Sequence, residues 1–122
     1  VGVDRGAGAE ALSAEGAEVV VQDLAELDLH AVAAPFDAVV AAGNVMTFLA
    51  PSTRRTVLER IRDHLAAEGR FVTGFGAGRG YPFDEFAGDA QAAGLTIELT
   101  LSTWDLRPFT PESDFLVAVL GR

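Results

Sequence analysis

Short runs of continuous apolar residues alternate along this chain with stretches of helical spacing, and that alternation points to an α/β sheet built largely from parallel strands. Runs without polar interruption suit strands covered on both faces, because a strand with one wet face alternates instead. "VGV", from Val1 to Val3, is the first run, followed by a small helical stretch from about Ala7 to Ala14 that Gly16 would end. "AEVVVQ" is the second, closed by Asp23, and the third runs from about Asp37 to Ala42 and is terminated by Gly43 and Asn44. After "APST" a helix is expected, with Pro51 starting the turn and Ser52 or Thr53 capping the exposed amides. Val57, Leu58, Ile61 and Leu65 fall on one stripe of it, and Gly69 stands as its left-handed terminator. "RFVTGF" is the next strand and "GFGAGRGYP" a mobile glycine-rich loop. Phe83, Phe86, Ala90 and Ala93 then form a second stripe, closed by Gly94.

The last third changes pattern. Leu95, Ile97, Leu99 and Leu101 alternate strictly with Thr96, Glu98, Thr100 and Ser102, which predicts a strand with one wet face, and "FLVAVL" reads as buried. Two strands joined by a loop with Pro108 and Pro111, without a helix between them, are expected to be antiparallel. The whole is a single α/β domain over residues 1–122, of a size that can bury one core.

Composition excludes several functions. The net charge of −9, with nine scattered arginines as the only cations, argues against a nucleic-acid partner. Arg54, Arg55, Arg60 and Arg62 share a helix with Glu59 and Asp63 and read as a solvated face. With no cysteine there is neither a disulfide framework nor thiolate chemistry, and two isolated histidines give no expectation of a metal site. His30 reads as a loop residue, His64 as a helix-surface residue, and Trp104 and Phe109 as packing. No window reaches the 18 or more apolar residues of a membrane span and no secretory signal is present, so the expected location is the cytoplasm.

In this order, the runs resemble a class I S-adenosylmethionine-dependent methyltransferase from its second strand onward. "VGVD" is similar to that strand with its terminal acid, and "AEVVVQDLAEL" to the third strand with its acid. "FDAVVAAGNVMTFL" resembles the fourth-strand motif and the loop after it. "TVLERIRDHLAAEGRFVTGF" resembles the helix, turn and fifth strand, and the ending with "WDLRPFTPESDFLVAVL" the last strand pair. The resemblance covers essentially the whole chain. It implies a Rossmann-like sheet whose first strand and cofactor loop would precede Val1, S-adenosylmethionine as cofactor, and a small-molecule methyl acceptor.

Residue by residue, the resemblance places Asp4 on the ribose hydroxyls, and Asp23 and Leu24 at the adenine. Ala42, Gly43 and Asn44 fall beside the amino-acid end of the cofactor. The loop from Asn44 to Phe48 and the glycine-rich loop with Tyr81 would line the acceptor pocket. No catalytic base is nominated. Because the family's first strand lies between its second and fourth, a chain beginning at the second strand is expected to leave a gap in its sheet, and to be either the ordered remnant of a longer protein or a homodimer formed by strand exchange. Two other readings stay open. Gly6, Gly8 and Ala11 satisfy the spacing of a G-x-G-x-x-G/A dinucleotide loop with Asp23 as its acid, although the interval to Asp23 is shorter than the usual unit of about 20 residues. The chain could also be a degenerate, non-catalytic pairing domain.

Overall fold

A computed structural model of the chain describes residues 2–4, 19–31 and 34–122. Its strands and helices are β1 (Gly2–Asp4), β2 (Val19–Val21), β3 (Phe36–Ala41), α1 (Arg54–His64), β4 (Leu65–Gly76), α2 (Phe83–Ala92), β5 (Thr96–Leu101) and β6 (Phe115–Gly121). The helical stretch expected near Ala7, together with Gly6 and Gly8, lies outside the described residues. None of the described helices is long and apolar enough to cross a membrane.

The strands form two sheets. β1 pairs with β2 in parallel, and the other four run in the order β3-β4-β6-β5. β3 and β4 are parallel while β6 is antiparallel to both of its neighbours, β4 and β5, so the last two strands are antiparallel as expected and β6 alone runs against the other three. Among the described residues no ladder joins β1 to β3. A cleft of about 370 Å³ separates them, lined by Gly2 and Val3 on one side and Phe36, Val39 and Ala41 on the other. The gap expected between the second and fourth strands of the resembled family is therefore where the sheet divides.

One face of the larger sheet carries the core. Phe71, Thr73 and Phe75 of β4 and Leu116, Ala118 and Leu120 of β6 are buried against the stripes of α1 and α2. Val57, Leu58 and Ile61 occupy the α1 stripe as expected, and Phe86 and Ala90 that of α2. Phe75 gathers Tyr81, Phe83 and Phe86 at ring-centroid distances of 5.3 to 5.7 Å. Rings at such spacing add to the burial of their area.

Several local expectations are corrected. Neither Ser52 nor Thr53 caps α1: the Thr53 hydroxyl donates to the Ala50 carbonyl at 2.8 Å, and a 3-10 turn over Pro51–Thr53 leads into the helix, with the Arg54 amide bonded to the Pro51 carbonyl. Gly69 does not terminate α1. The helix ends where Leu65 turns extended, and Gly69 lies inside β4, where a Cβ would stand 2.7 Å from the Phe36 carbonyl oxygen. Close approach of two backbones, at the point where the β3–β4 register shifts, is what excludes a side chain there. Gly94 does adopt the left-handed conformation, at φ +89°.

The alternation in β5 also slips. Ile97 pairs with Leu120 but Leu99 with Val119, two residues of β5 against one of β6, so a bulge at Glu98 turns Leu99 to the opposite face. There it extends a row across all four strands, Val40, Val72, Val119 and Leu99. Val40 is 64% and Leu99 50% exposed. Among the described residues, coverage of both faces thus holds for only one. On the second face the Trp104 indole packs over Gly74, where a Cβ would meet its Cζ2 at 2.5 Å.

Candidate functional site

Beside the gap, the segments that follow β2 and β3 come together. Asp23 and Leu24 line one wall of a cleft of about 340 Å³, Val45, Phe48 and Leu49 line the other, and Val3 of β1 is at its base. Val3, Leu24 and Val45 also line the larger cleft, so the two adjoin. Crevices outside the carboxyl ends of parallel strands are where ligands bind in sheets of this kind.

The wall after β2 is built by side chains that hold backbone. The Asp23 carboxylate accepts the Ala25 amide at 3.0 Å through Oδ1, starting a 3-10 turn over Leu24–Glu26. Gln22 bonds both backbone groups of Asp28, each at 3.0 Å. His64 then corrects its expected surface position. It is 2% exposed; Nε2 accepts the Leu29 amide at 2.8 Å, and Nδ1 lies 2.6 Å from the Arg60 carbonyl, which fixes the proton on Nδ1. Asp28, His30 and His64 bring ligand-type atoms within 4.8 Å of one another, but both ring nitrogens of His64 are committed to backbone. That histidine ties a loop to a helix and has no lone pair left for a metal. His30 is exposed, as a loop residue should be, and its backbone amide, followed by its ring, lowers the pKa of Asp28.

The wall after β3 turns sharply. Gly43 and Asn44 adopt left-handed φ of +72° and +63° in succession. The Asn44 side chain then accepts the Gly76 amide through Oδ1 at 2.8 Å, joining the loop after β3 to the end of β4. A Cβ on Gly43 would meet nothing within 4 Å, so its constraint is conformational.

Of the predicted site residues, Asp23 and Leu24 lie in the smaller cleft and Ala42 in the larger, while Gly43 and Asn44 form the turn beside them. The side chain of Asp4 lies outside the described residues. Gln22 escaped the sequence reading, because a polar residue after a strand carries no periodic signal, and Thr53, read only as a helix cap, lines the cleft as well.

The glycine-rich loop differs most from expectation. Tyr81 does not line an open pocket: it is 2% exposed and its hydroxyl donates to Asp89 Oδ2 at 2.7 Å. Arg54, expected on a solvated face, is buried with its guanidinium 3.9 Å above the Tyr81 ring and donates to the Gly80 carbonyl at 2.9 Å. Burial, then the hydrogen bond to Asp89 and the charge of that carboxylate, push the Tyr81 pKa far above the ordinary phenol value. A loop read as mobile is therefore clamped to α1 and α2.

No protein-family model and no curated protein sequence matches the chain. Solved structures do. A TehB-like SAM-dependent methyltransferase from Corynebacterium glutamicum is 44% identical over 88% of this chain, with a TM-score of 0.82. An S-adenosylmethionine-dependent methyltransferase from Clostridium acetobutylicum matches 92% of the chain at TM-score 0.78 and 8% identity. The glycopeptide N-methyltransferase MtfA, solved in complex with S-adenosyl-L-methionine, matches 84% at TM-score 0.67 and 12% identity. The chain covers 58%, 68% and 63% of these three structures respectively.

Proposed function

We propose that the chain belongs to the class I S-adenosylmethionine-dependent methyltransferases and holds this cofactor in the cleft beside Asp23 for methyl transfer to a small-molecule acceptor. One observation carries the reading: the acid after β2 and the segment after β3, at Val45, Phe48 and Leu49, line one crevice, in the order the family resemblance assigns them. The residues present fit the cofactor. Asp23 offers an exposed carboxylate, and Leu24 and Phe48 offer apolar surface. The cleft's volume of about 340 Å³ falls inside the range of about 300–1,000 Å³ typical of small-molecule sites.

When bound, S-adenosylmethionine supplies an electrophilic methyl group on a sulfonium. What the chain contributes is position and dryness: Asp23 and Leu24 hold one end, the Ala42–Asn44 turn faces the other, and the apolar walls exclude water while the acceptor is aligned. Orientation and desolvation of this kind supply much of the rate in such a transfer, and no dedicated base is required. The acidic surface, with net charge −9, favours a small acceptor over a nucleic acid.

Calorimetric titration of the chain with S-adenosylmethionine tests the proposal. Asp23→Ala is expected to weaken binding by about 1.5–3 kcal/mol, the range for hydrogen bonds to a charged group. Equal affinity in the variant removes Asp23 from the site. Binding of NAD instead transfers the reading to the dinucleotide rival, and silence toward both cofactors supports a pairing domain.

A further inference from the structure

We propose that His64 is a positioning residue for the cleft beside Asp23 and acts only while its ring is neutral: a proton taken up at Nε2 releases the loop after β2 and lowers cofactor affinity. This rests on the methyl-transfer reading above. His64 is the last residue of α1 and the one titratable group among the described residues that line the larger cleft. Its buried ring bonds across to the segment that carries Asp23 and Leu24.

The hydrogen bonds of the ring define one protonation state. Nδ1–H donates to the Arg60 carbonyl at 2.6 Å, inside the same helix, which leaves the lone pair of Nε2 to accept the Leu29 amide at 2.8 Å. An imidazolium donates from both nitrogens and accepts at neither. After protonation, Nε2–H and the Leu29 N–H would face each other as two donors, in a place too buried for water to separate them. Leaving such donors unpaired in the interior is costly. The loop is the side that yields, because Arg60 and His64 are held one turn apart in α1, whereas Leu29 sits in a segment without regular structure.

The surrounding charges let the proton arrive and then act on the loop. Asp28 and His30 bring ligand-type atoms within 4.8 Å of those of His64, and the His30 ring centroid is 4.4 Å from that of His64. The Asp28 carboxylate, bonded to the His30 ring at 3.1 Å, offers a counter-charge for the imidazolium, while a charged His30 repels it. On α1 itself Arg60 meets the ring through its carbonyl and Asp63 is bonded to Arg62; from the end of the chain Arg122 donates to the Leu65 carbonyl at 2.8 Å. The residues of β1 and β3 that line the larger cleft carry no titratable group. Release of Leu29 reaches the wall of the cofactor cleft: Leu27 and Leu29 are buried, Leu24 lines both clefts, and Gln22 closes the segment by bonding both backbone groups of Asp28. Affinity is full while the ring is neutral and falls as the pH drops through the ordinary histidine range, about 6.5.

The test follows the whole parent chain by NMR from about pH 8 to about pH 5, on either side of that ordinary value of about 6.5. Long-range ring correlations read the proton on His64, and hydrogen exchange reads the protection of the Leu29 amide, with the Val72 amide of β4 as the reference for global unfolding. Leu29 is expected to lose protection at the midpoint of His64 protonation while Val72 keeps its own. S-adenosylhomocysteine, whose own groups keep their charge over this interval, is expected to bind about tenfold more weakly at the acid end, within the usual range of about 5–150-fold for coupled sites. That pH dependence is expected to vanish in His64→Gln, which offers an acceptor that does not titrate, and to persist in His30→Asn. Leu29 protection that survives ring protonation, or a ring that stays neutral until Val72 also exchanges, overturns the proposal. So does an affinity that ignores pH in the parent, keeps its pH dependence in His64→Gln or loses it in His30→Asn. Failure of S-adenosylhomocysteine to bind at any pH removes methyl transfer, and the Leu29 measurement then still decides whether the histidine releases the loop.

Discussion

Tyr81 is the chain's only tyrosine, so its protonation can be followed without ambiguity. Its phenol is shielded from water and bonded to Asp89, and both effects favour the neutral form, since ionising it would place two anions side by side. The nearby Arg54 acts the other way but more weakly. Because the native pKa is raised above the unfolded value of about 10, the stabilisation is complete below pH 10 and is lost as the pH climbs past it. In an alkaline titration followed by phenolate absorbance, Tyr81 is expected to resist ionisation beyond pH 10 and then to ionise together with unfolding. An ordinary phenol titration in the folded protein would break the clamp on the glycine-rich loop. Asp28 and Asp105 are lowered instead, Asp28 mainly by the His30 amide and Asp105 mainly by the Thr103 hydroxyl.

At the scale of elements, β4 organises the molecule. Its Phe71, Thr73 and Phe75 face the helices, and Gly74 leaves room on the other side for the indole that the β5–β6 loop carries. The loop closes on itself through Ser102 and Arg107 and is bridged to β5 at Leu101 and Pro108. Gly74→Val would place a branched side chain where Trp104 Cζ2 now stands, and a rigid bicyclic ring cannot yield as a flexible chain end does. The expected outcome is a red shift of tryptophan emission and a loss of about 1–3 kcal/mol in denaturant unfolding, the cost of overpacking. Unshifted emission would show that the indole does not cover β4.

For the molecule as a whole, the divided sheet is decisive. Among the described residues no ladder joins the facing edges of β1 and β3, and in the row from Val40 to Leu99 these two end residues are exposed. Unpaired strand edges invite another strand, and exposed aliphatic rows invite cover. The chain by itself is therefore expected to associate in solution and to bind S-adenosylmethionine weakly, because the gap runs beside the cleft proposed for the cofactor. Light scattering combined with cofactor titration checks this. A compact monomer with tight binding would mean that the two sheets need no strand between them.

Periodicity was enough to determine the strands, the two helical stripes and the reversal of direction at the end, because apolar spacing is a local property that burial selects directly. It could also mark Asp23 and the Gly43–Asn44 turn, since residues that end strands and take positive φ have a restricted chemistry. Tertiary structure alone decided the rest. Gly69 looked like a helix terminator and is a close contact between strands; a regular alternation in β5 is broken by one bulge that no residue type announces. Arg54, His64 and Tyr81 read as surface, helix face and pocket, yet all three are buried, with Arg54 and His64 bonded to backbone far along the chain at Gly80 and Leu29 and Tyr81 to Asp89 of the next helix. Whether a polar group can be buried depends on such partners, and local sequence spacing does not reveal which of them it meets.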